Sequence, residues 1–129
     1  MIVKGLLAEF DHEVENTRKL LRSVPDSALD FKPSDVSWTT GQLASHIAEI
    51  YHWFPVTFQQ STFDMAHYNY DKGDISKAEN ILAKFEENVS SARASLMACT
   101  DETMMEEWKM VMGGSEPLMP PMPKAVVAR

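Results

Sequence analysis

The sequence predicts an all-α, up-down helical bundle, and three observations carry that prediction. Three segments repeat apolar residues at alternating spacings of four and three, the period of one face of a helix. Helix start and stop signals bound them: a proline closes the first, and capping-box pairs open the other two. No segment shows a convincing strand alternation. At 129 residues, 44% apolar and 24% charged, the chain suits one domain over residues 1–129, with a core burying roughly two-thirds of the unfolded surface.

The first helix is expected over residues 2–24, with Val3, Leu7, Phe10, Val14, Thr17, Leu21 and Val24 as its inner stripe, widened by Leu6 and Leu20. Pro25 stops it, because the residue before a proline avoids the helical region. "PDSALDFKPSDVSW" is then a linker long enough to cross one end of a bundle. The second helix is expected over residues 39–60, opening on a Thr39/Gln42 capping box and turning Leu43, Ile47, Ile50 and Phe54 inward. Pro55 lacks an amide donor and clashes with the carbonyl of Tyr51, so a kink or an end is expected there. "DMAHYNYDKGD" reads as a loop.

The third helix is expected over residues 76–99, from a Ser76/Glu79 capping box, with Ala78, Leu82, Phe85, Val89, Ala92, Leu96 and Cys99 inward. Cys99 therefore reads as a small buried hydrophobe rather than a nucleophile. "TDETMMEEWKMVMGGSEPLMPPMP" then loses all period: an irregular connection with a short extended piece around Trp108–Met112. Its methionines plug one end of the bundle or line a pocket; the residues alone leave both open. "PKAVVAR" places a proline at a first helical turn, where a fourth helix would begin.

Charge and composition exclude several classes. A net charge of −7, with 12 scattered basic residues, repels nucleic-acid backbones. No apolar run approaches the roughly 18 residues of a membrane span. One cysteine makes no internal disulfide and nothing resembles a signal peptide, so a reducing cytoplasm is the expected location.

The four histidines fall on different helical faces. His12 and His52 fall off the inner stripes and point to solvent, and His67 sits in the loop. His46 lies at the margin of the expected buried face, in line with Ile50 and Trp53; it is either a satisfied core-edge residue or a ligand. Glu49, three residues on, falls nearer solvent and is a weak partner. No H-E-x-x-H, Gly-rich phosphate loop or G-x-S-x-G elbow occurs.

A helix ending in "LLRSVPDSALDFKP", followed by "SWTTGQLASHIAEIYHW", resembles the DinB/YfiT-like group of four-helix-bundle metalloenzymes. The most specific part is Ser37-Trp38, Gly41-Gln42-Leu43 and His46. The resemblance implies that His46 is one of three metal ligands, commonly for zinc or nickel, with two histidines in an H-x-x-x-H pattern on a fourth helix. It also implies thiol-dependent transferase or isomerase chemistry between a low-molecular-weight thiol and an electrophilic small molecule. An inherited ligand at His46 would face the bundle interior near the Met-rich end. The sequence ends at Arg129, before those two histidines would occur, so the fourth helix is expected to be absent or only begun. Three amphipathic helices without a fourth would expose an apolar groove, which predicts a two-fold homodimer. A non-catalytic helical interaction protein and a metal-free small-molecule binder are the alternatives.

Overall fold

The computed structural model describes residues 2–112 and 121–127. Helix α1 spans Ile2–Arg22, and a single 3-10 turn follows at Asp26–Ala28. Then come α2 (Thr40–Ile50), α3 (Trp53–Gln59), strand β1 (Thr62–Asp64) and α4 (Ala78–Met97). Short α5 (Asp101–Met104), β2 (Glu107–Val111), β3 (Met122–Pro123) and α6 (Lys124–Val127) complete the order. Three long helical segments form, as the periodicity predicts, and α4 is the hub against which α1, α2 and α3 all pack.

Helix α1 buries Leu6, Phe10, Val14 and Leu21, close to the expected stripe, but Leu20 does not widen it and is 54% exposed. Two bridges fasten α1 to α4 along their outer edges. Arg18 forks onto Glu86, with Nη2 2.7 Å and Nε 2.9 Å from its carboxylate oxygens, and Arg93 does the same to Asp11 at 2.9 and 3.0 Å. Between the helices Phe85, fully buried, meets Tyr51 edge-on at 5.3 Å, and Tyr51 in turn contacts Phe10 and stacks on Phe54. Tyr51 satisfies its hydroxyl on Thr17 at 3.0 Å, so this aromatic centre carries a paired polar tip.

The second helix departs from expectation in two ways. Its Thr39/Gln42 capping box forms as predicted, with both reciprocal bonds present. The buried face, however, is Gly41, Ala44, Ser45 and Ala48, while Leu43 and Ile50 are 51% and 43% exposed. Small residues win that face because the linker and the loop before α4 crowd its start and α4 itself lies close further along. A Cβ on Gly41 would sit 3.2 Å from the Leu29 carbonyl, and Asn88 of α4 reaches the Ala48 carbonyl at 3.0 Å. The helix also breaks earlier than the proline. It ends at Ile50, and α3 restarts at Trp53, so Pro55 falls within the first turn of a new helix, where no amide is needed.

The Ser76/Glu79 box does not form. Helix α4 starts at Ala78, whose amide donates to Asp26 Oδ1 of the 3-10 turn at 2.7 Å, while Asp74 accepts from Ser76. In the loop before it, Gly73 takes φ +69°, the left-handed value that glycine reaches without strain, and Asp71 accepts its amide at 2.9 Å.

A three-stranded sheet, which periodicity did not reveal, closes one end. Strand β1 pairs parallel with β2, Phe63 opposite Met110, and β2 pairs antiparallel with β3, Trp108 opposite Met122. The expected extended piece at Trp108–Met112 is β2, offset by one residue. Phe63 stacks on Trp108 with centroids 6.1 Å apart. Lys124, at the start of α6, is buried and donates to the Phe58 carbonyl at 3.1 Å, a cation at the C-terminal turn of α3. Met104 is fully buried and does plug the core, whereas Met105 and Met112 stay exposed. Residues 113–120 of the Met- and Pro-rich segment lie outside the described residues. Among the described residues, no helix is long and apolar enough to cross a membrane.

Candidate functional site

His46 leaves α2 about 150° round from the centre of the buried face, and so stands on the wall of a side cleft. That cleft, of about 280 Å³, is bounded by Trp38 from the linker, by Gln42, Ser45 and Glu49 of α2, and by Lys72 and Ile75 from the loop before α4. Trp38 approaches the imidazole edge-on at 5.2 Å and Trp53 at 6.5 Å, so two indoles flank the ring. Among the described residues, no methionine of the C-terminal segment lines it. Among the described residues, no group hydrogen-bonds either ring nitrogen of His46; Nδ1 lies 3.8 Å from Glu49 Oε1. The core-edge reading, a histidine satisfied by a hydrogen bond, therefore has no partner to name among those residues.

Glu49 is a better placed neighbour than its spacing suggested. Its side chain is 22% exposed, less than the 38% of His46. Its Oε2 accepts the Tyr68 hydroxyl at 2.8 Å, and Tyr68 in turn accepts the Trp53 indole N–H at 2.9 Å. Burial, reinforced by the bond to Glu49, pushes the Tyr68 phenol well above its ordinary pKa, so it remains a donor and holds the carboxylate. The ladder runs from α3 through the loop to α2 and is invisible to local periodicity. The clue in the sequence was the "YNY" in a loop otherwise built of turn residues.

The other histidines separate clearly. His12 is exposed, with Nε2 3.4 Å from Asn16. His52 is half-buried rather than solvated, with its ring 5.0 Å from Tyr70 and 6.1 Å from Tyr68. Of His67, only the backbone is described, in a 3-10 turn at Met65–His67. Cys99 donates its thiol to the Ser95 carbonyl at 3.2 Å, and burial raises its pKa, which fits a packing role. Among the described residues, no three His, Cys, Asp or Glu side chains gather closely enough to hold a metal ion. The His46 cleft supplies an imidazole and a carboxylate, one fewer than the three protein ligands of an open catalytic centre.

A second concavity is larger. A cleft of about 660 Å³ opens between α1 and the α2–α3 pair, on the side away from α4. Phe10, Tyr51 and Phe54 line it, with Ile47 and Ile50 on one bank and Glu9 and Glu13 on the other. Two of the α2 side chains that the periodicity assigns to the core, Ile47 and Ile50, line it.

Comparison with curated proteins finds no match. The fold is similar to the crystal structure of a DinB-like protein from Bacillus cereus ATCC 10987, with a TM-score of 0.70 and 20% identity, over 97% of this chain and 77% of that one. Residues 9–117 match the model of the DinB superfamily, which takes in α1, the capped α2 with His46, the α4 hub and β2. With most of its length matched in this way, the chain belongs to the DinB superfamily.

Proposed function

We propose that the chain serves divalent-metal-dependent transfer of a thiol to an electrophilic small molecule, with His46 as one metal ligand. The observation that carries this reading is the state of the His46 ring: flanked by two indoles, half exposed to a cleft, and not hydrogen-bonded among the described residues. Such a nitrogen is available to a zinc or nickel ion. A divalent cation supplies Lewis-acid activation of a thiol when bound. The His46 cleft alone does not complete a centre, so on this reading the remaining ligands come from outside the described residues. Trp38 and Trp53 narrow access of water to the imidazole, and the Tyr68-held Glu49 places negative charge beside it.

The test is titration of the chain and of His46→Ala with zinc and nickel by calorimetry. Weak binding that disappears in His46→Ala supports the assignment. Equal binding by both returns His46 to a packing role, and tight one-to-one binding by both places the site elsewhere.

A second reading, non-catalytic self-association, is favoured by the open cleft. Ile50 lines it and is 43% exposed, and Leu43 and Leu20, 51% and 54% exposed, lie about one helical turn along from its lining residues Ile47 and Thr17. A two-fold homodimer would cover them. Sedimentation equilibrium separates the readings: a monomer at high micromolar concentration rejects the dimer and leaves the His46 reading intact.

A further inference from the structure

We infer that the cleft beside His46 binds a small zwitterion, an α-amino acid with a compact apolar side chain. Its carboxylate lies at Lys72 and Ser45, and its ammonium lies at Glu49. The inference goes beyond the metal reading and needs no metal, because the His46 ring makes none of these contacts.

The face of α2 that borders the cleft is polar throughout. Gln42, Ser45, His46 and Glu49 stand at i, i+3, i+4 and i+7, one stripe of a helix. Ser45 is 8% exposed, and its hydroxyl has no hydrogen-bond partner among the described residues. A buried helical serine can return its proton to a carbonyl of the preceding turn; Ser95 does so to Ala92, and Ser45 does not. Among the described residues, the unpaired polar atom sealed from solvent is the Trp108 indole nitrogen, not this hydroxyl. Ser45 therefore keeps an opening, and it lies onto the cleft that Ser45 lines. Gln42 adds an oriented donor beside it. Its Oε1 accepts the Thr39 amide at 2.9 Å in the capping box, which leaves the NH2 group for another acceptor.

The charges name the ligand. Lys72 and Glu49 line the same cleft, of about 280 Å³, without pairing with each other. Glu49 gives Oε2 to Tyr68 and holds Oε1 3.8 Å from His46 Nδ1, while Lys72 has no ion-pair partner among the described residues. A bare carboxylate would be repelled by Glu49 and a bare amine by Lys72; a molecule carrying both signs complements the pair. Ser45 and Glu49 are one turn apart, about 6 Å along the axis. Two hydrogen bonds of about 2.9 Å take up most of that span, so the two charged groups hang from one carbon, as in an α-amino acid. Trp38 and Ile75 supply the apolar remainder of the wall. The volume equals roughly nine waters, room for a side chain the size of valine's and not for a peptide.

The experiment titrates the full chain with L-valine at neutral pH in the presence of a chelator, following backbone amide shifts by NMR. Two controls split the ligand: 3-methylbutanoate is valine without its ammonium, and 2-methylpropylamine is valine without its carboxylate. Valine should give saturable shifts at residues 42–49 and at Lys72, and each control should bind about tenfold more weakly or worse. Lys72→Gln should weaken valine about tenfold and leave 2-methylpropylamine no weaker. Glu49→Gln, which keeps an acceptor for Tyr68, should weaken valine by a similar factor and leave 3-methylbutanoate no weaker. Equal binding of the three probes overturns the inference. So does the lack of any saturable shift, which makes Lys72 an ordinary solvated loop lysine. Valine binding that appears only when zinc replaces the chelator overturns it as well, since the metal is then the receptor. Because the chelator strips metal throughout, failure here leaves the His46 reading standing, and failure of the zinc titration leaves this one standing.

Discussion

Tyr68 and Glu49 are joined by a 2.8 Å hydrogen bond between a loop and α2, with the Trp53 indole bonded to the same phenol from behind. One hydroxyl thus serves as donor and acceptor between groups from three segments. Tyr68→Phe keeps the ring and deletes both bonds, so it should lower stability by about 1–3 kcal/mol. Urea denaturation with an unchanged slope checks it. Because burial holds this phenol neutral, alkaline absorbance titration of the wild type should also show a tyrosine that ionises late.

The α1–α4 edge should weaken in acid. Its hydrogen bond from Arg18 lowers the folded-state pKa of Glu86, against a smaller opposing effect of burial, and Asp11 is lowered by Arg93 in the same way. A depressed carboxylate pKa gives stability that is complete above the unfolded value and is lost as pH falls through the folded one. Melting temperature should therefore drop as pH falls below about 4. Arg18→Gln should remove part of that slope and, since Glu86 is 42% exposed, cost under about 1 kcal/mol at neutral pH. Thermal melts across the acid range decide it.

Gly41 is a packing requirement. The Leu29 carbonyl, 3.2 Å from where a Cβ would stand, crowds the position, and the Ile75 carbonyl at 3.6 Å is already in contact. Gly41→Val should destabilise by about 1–3 kcal/mol through overpacking, more than any gain in helix propensity restores. Denaturant midpoints for the alanine and valine variants, the alanine falling between, test this.

The glycine and the glutamine of the "TTGQL" run thus have structural reasons, close approach and a capping box, while the histidine that follows has ring contacts with Trp38 and Trp53 but no hydrogen-bond partner among the described residues. That division was partly legible beforehand. The Thr39/Gln42 box and the α1 stripe through Phe10, Val14 and Leu21 formed as read, because local hydrogen bonding and burial against α4 agree there. The α2 face differs from the expected one because periodicity weights large apolar side chains, whereas a tightly packed helix presents its small ones inward. The sheet was missed because β1 is three residues long and pairs with a strand over 40 positions away. The place of Glu49 is hidden from helical spacing because its partner, Tyr68, belongs to a loop with no period. The small side cleft around His46 depends on where that loop and the linker settle, which no helical wheel encodes.

The cap of α4 has a kinetic consequence. A usual N-cap residue adjoins its helix, so the cap is available as soon as the first turn winds. Ala78 instead relies on Asp26, 52 positions earlier, and its amide gains an acceptor only after the 3-10 turn has docked. That long closure places the contact late in folding. Asp26→Ala should therefore accelerate unfolding by severalfold while leaving the refolding rate almost unchanged, a low φ-value. Stopped-flow chevrons of the two proteins would show the unfolding limb raised and the folding limb superimposed, and a matching slowdown in refolding would instead assign the docking of α4 to the folding nucleus.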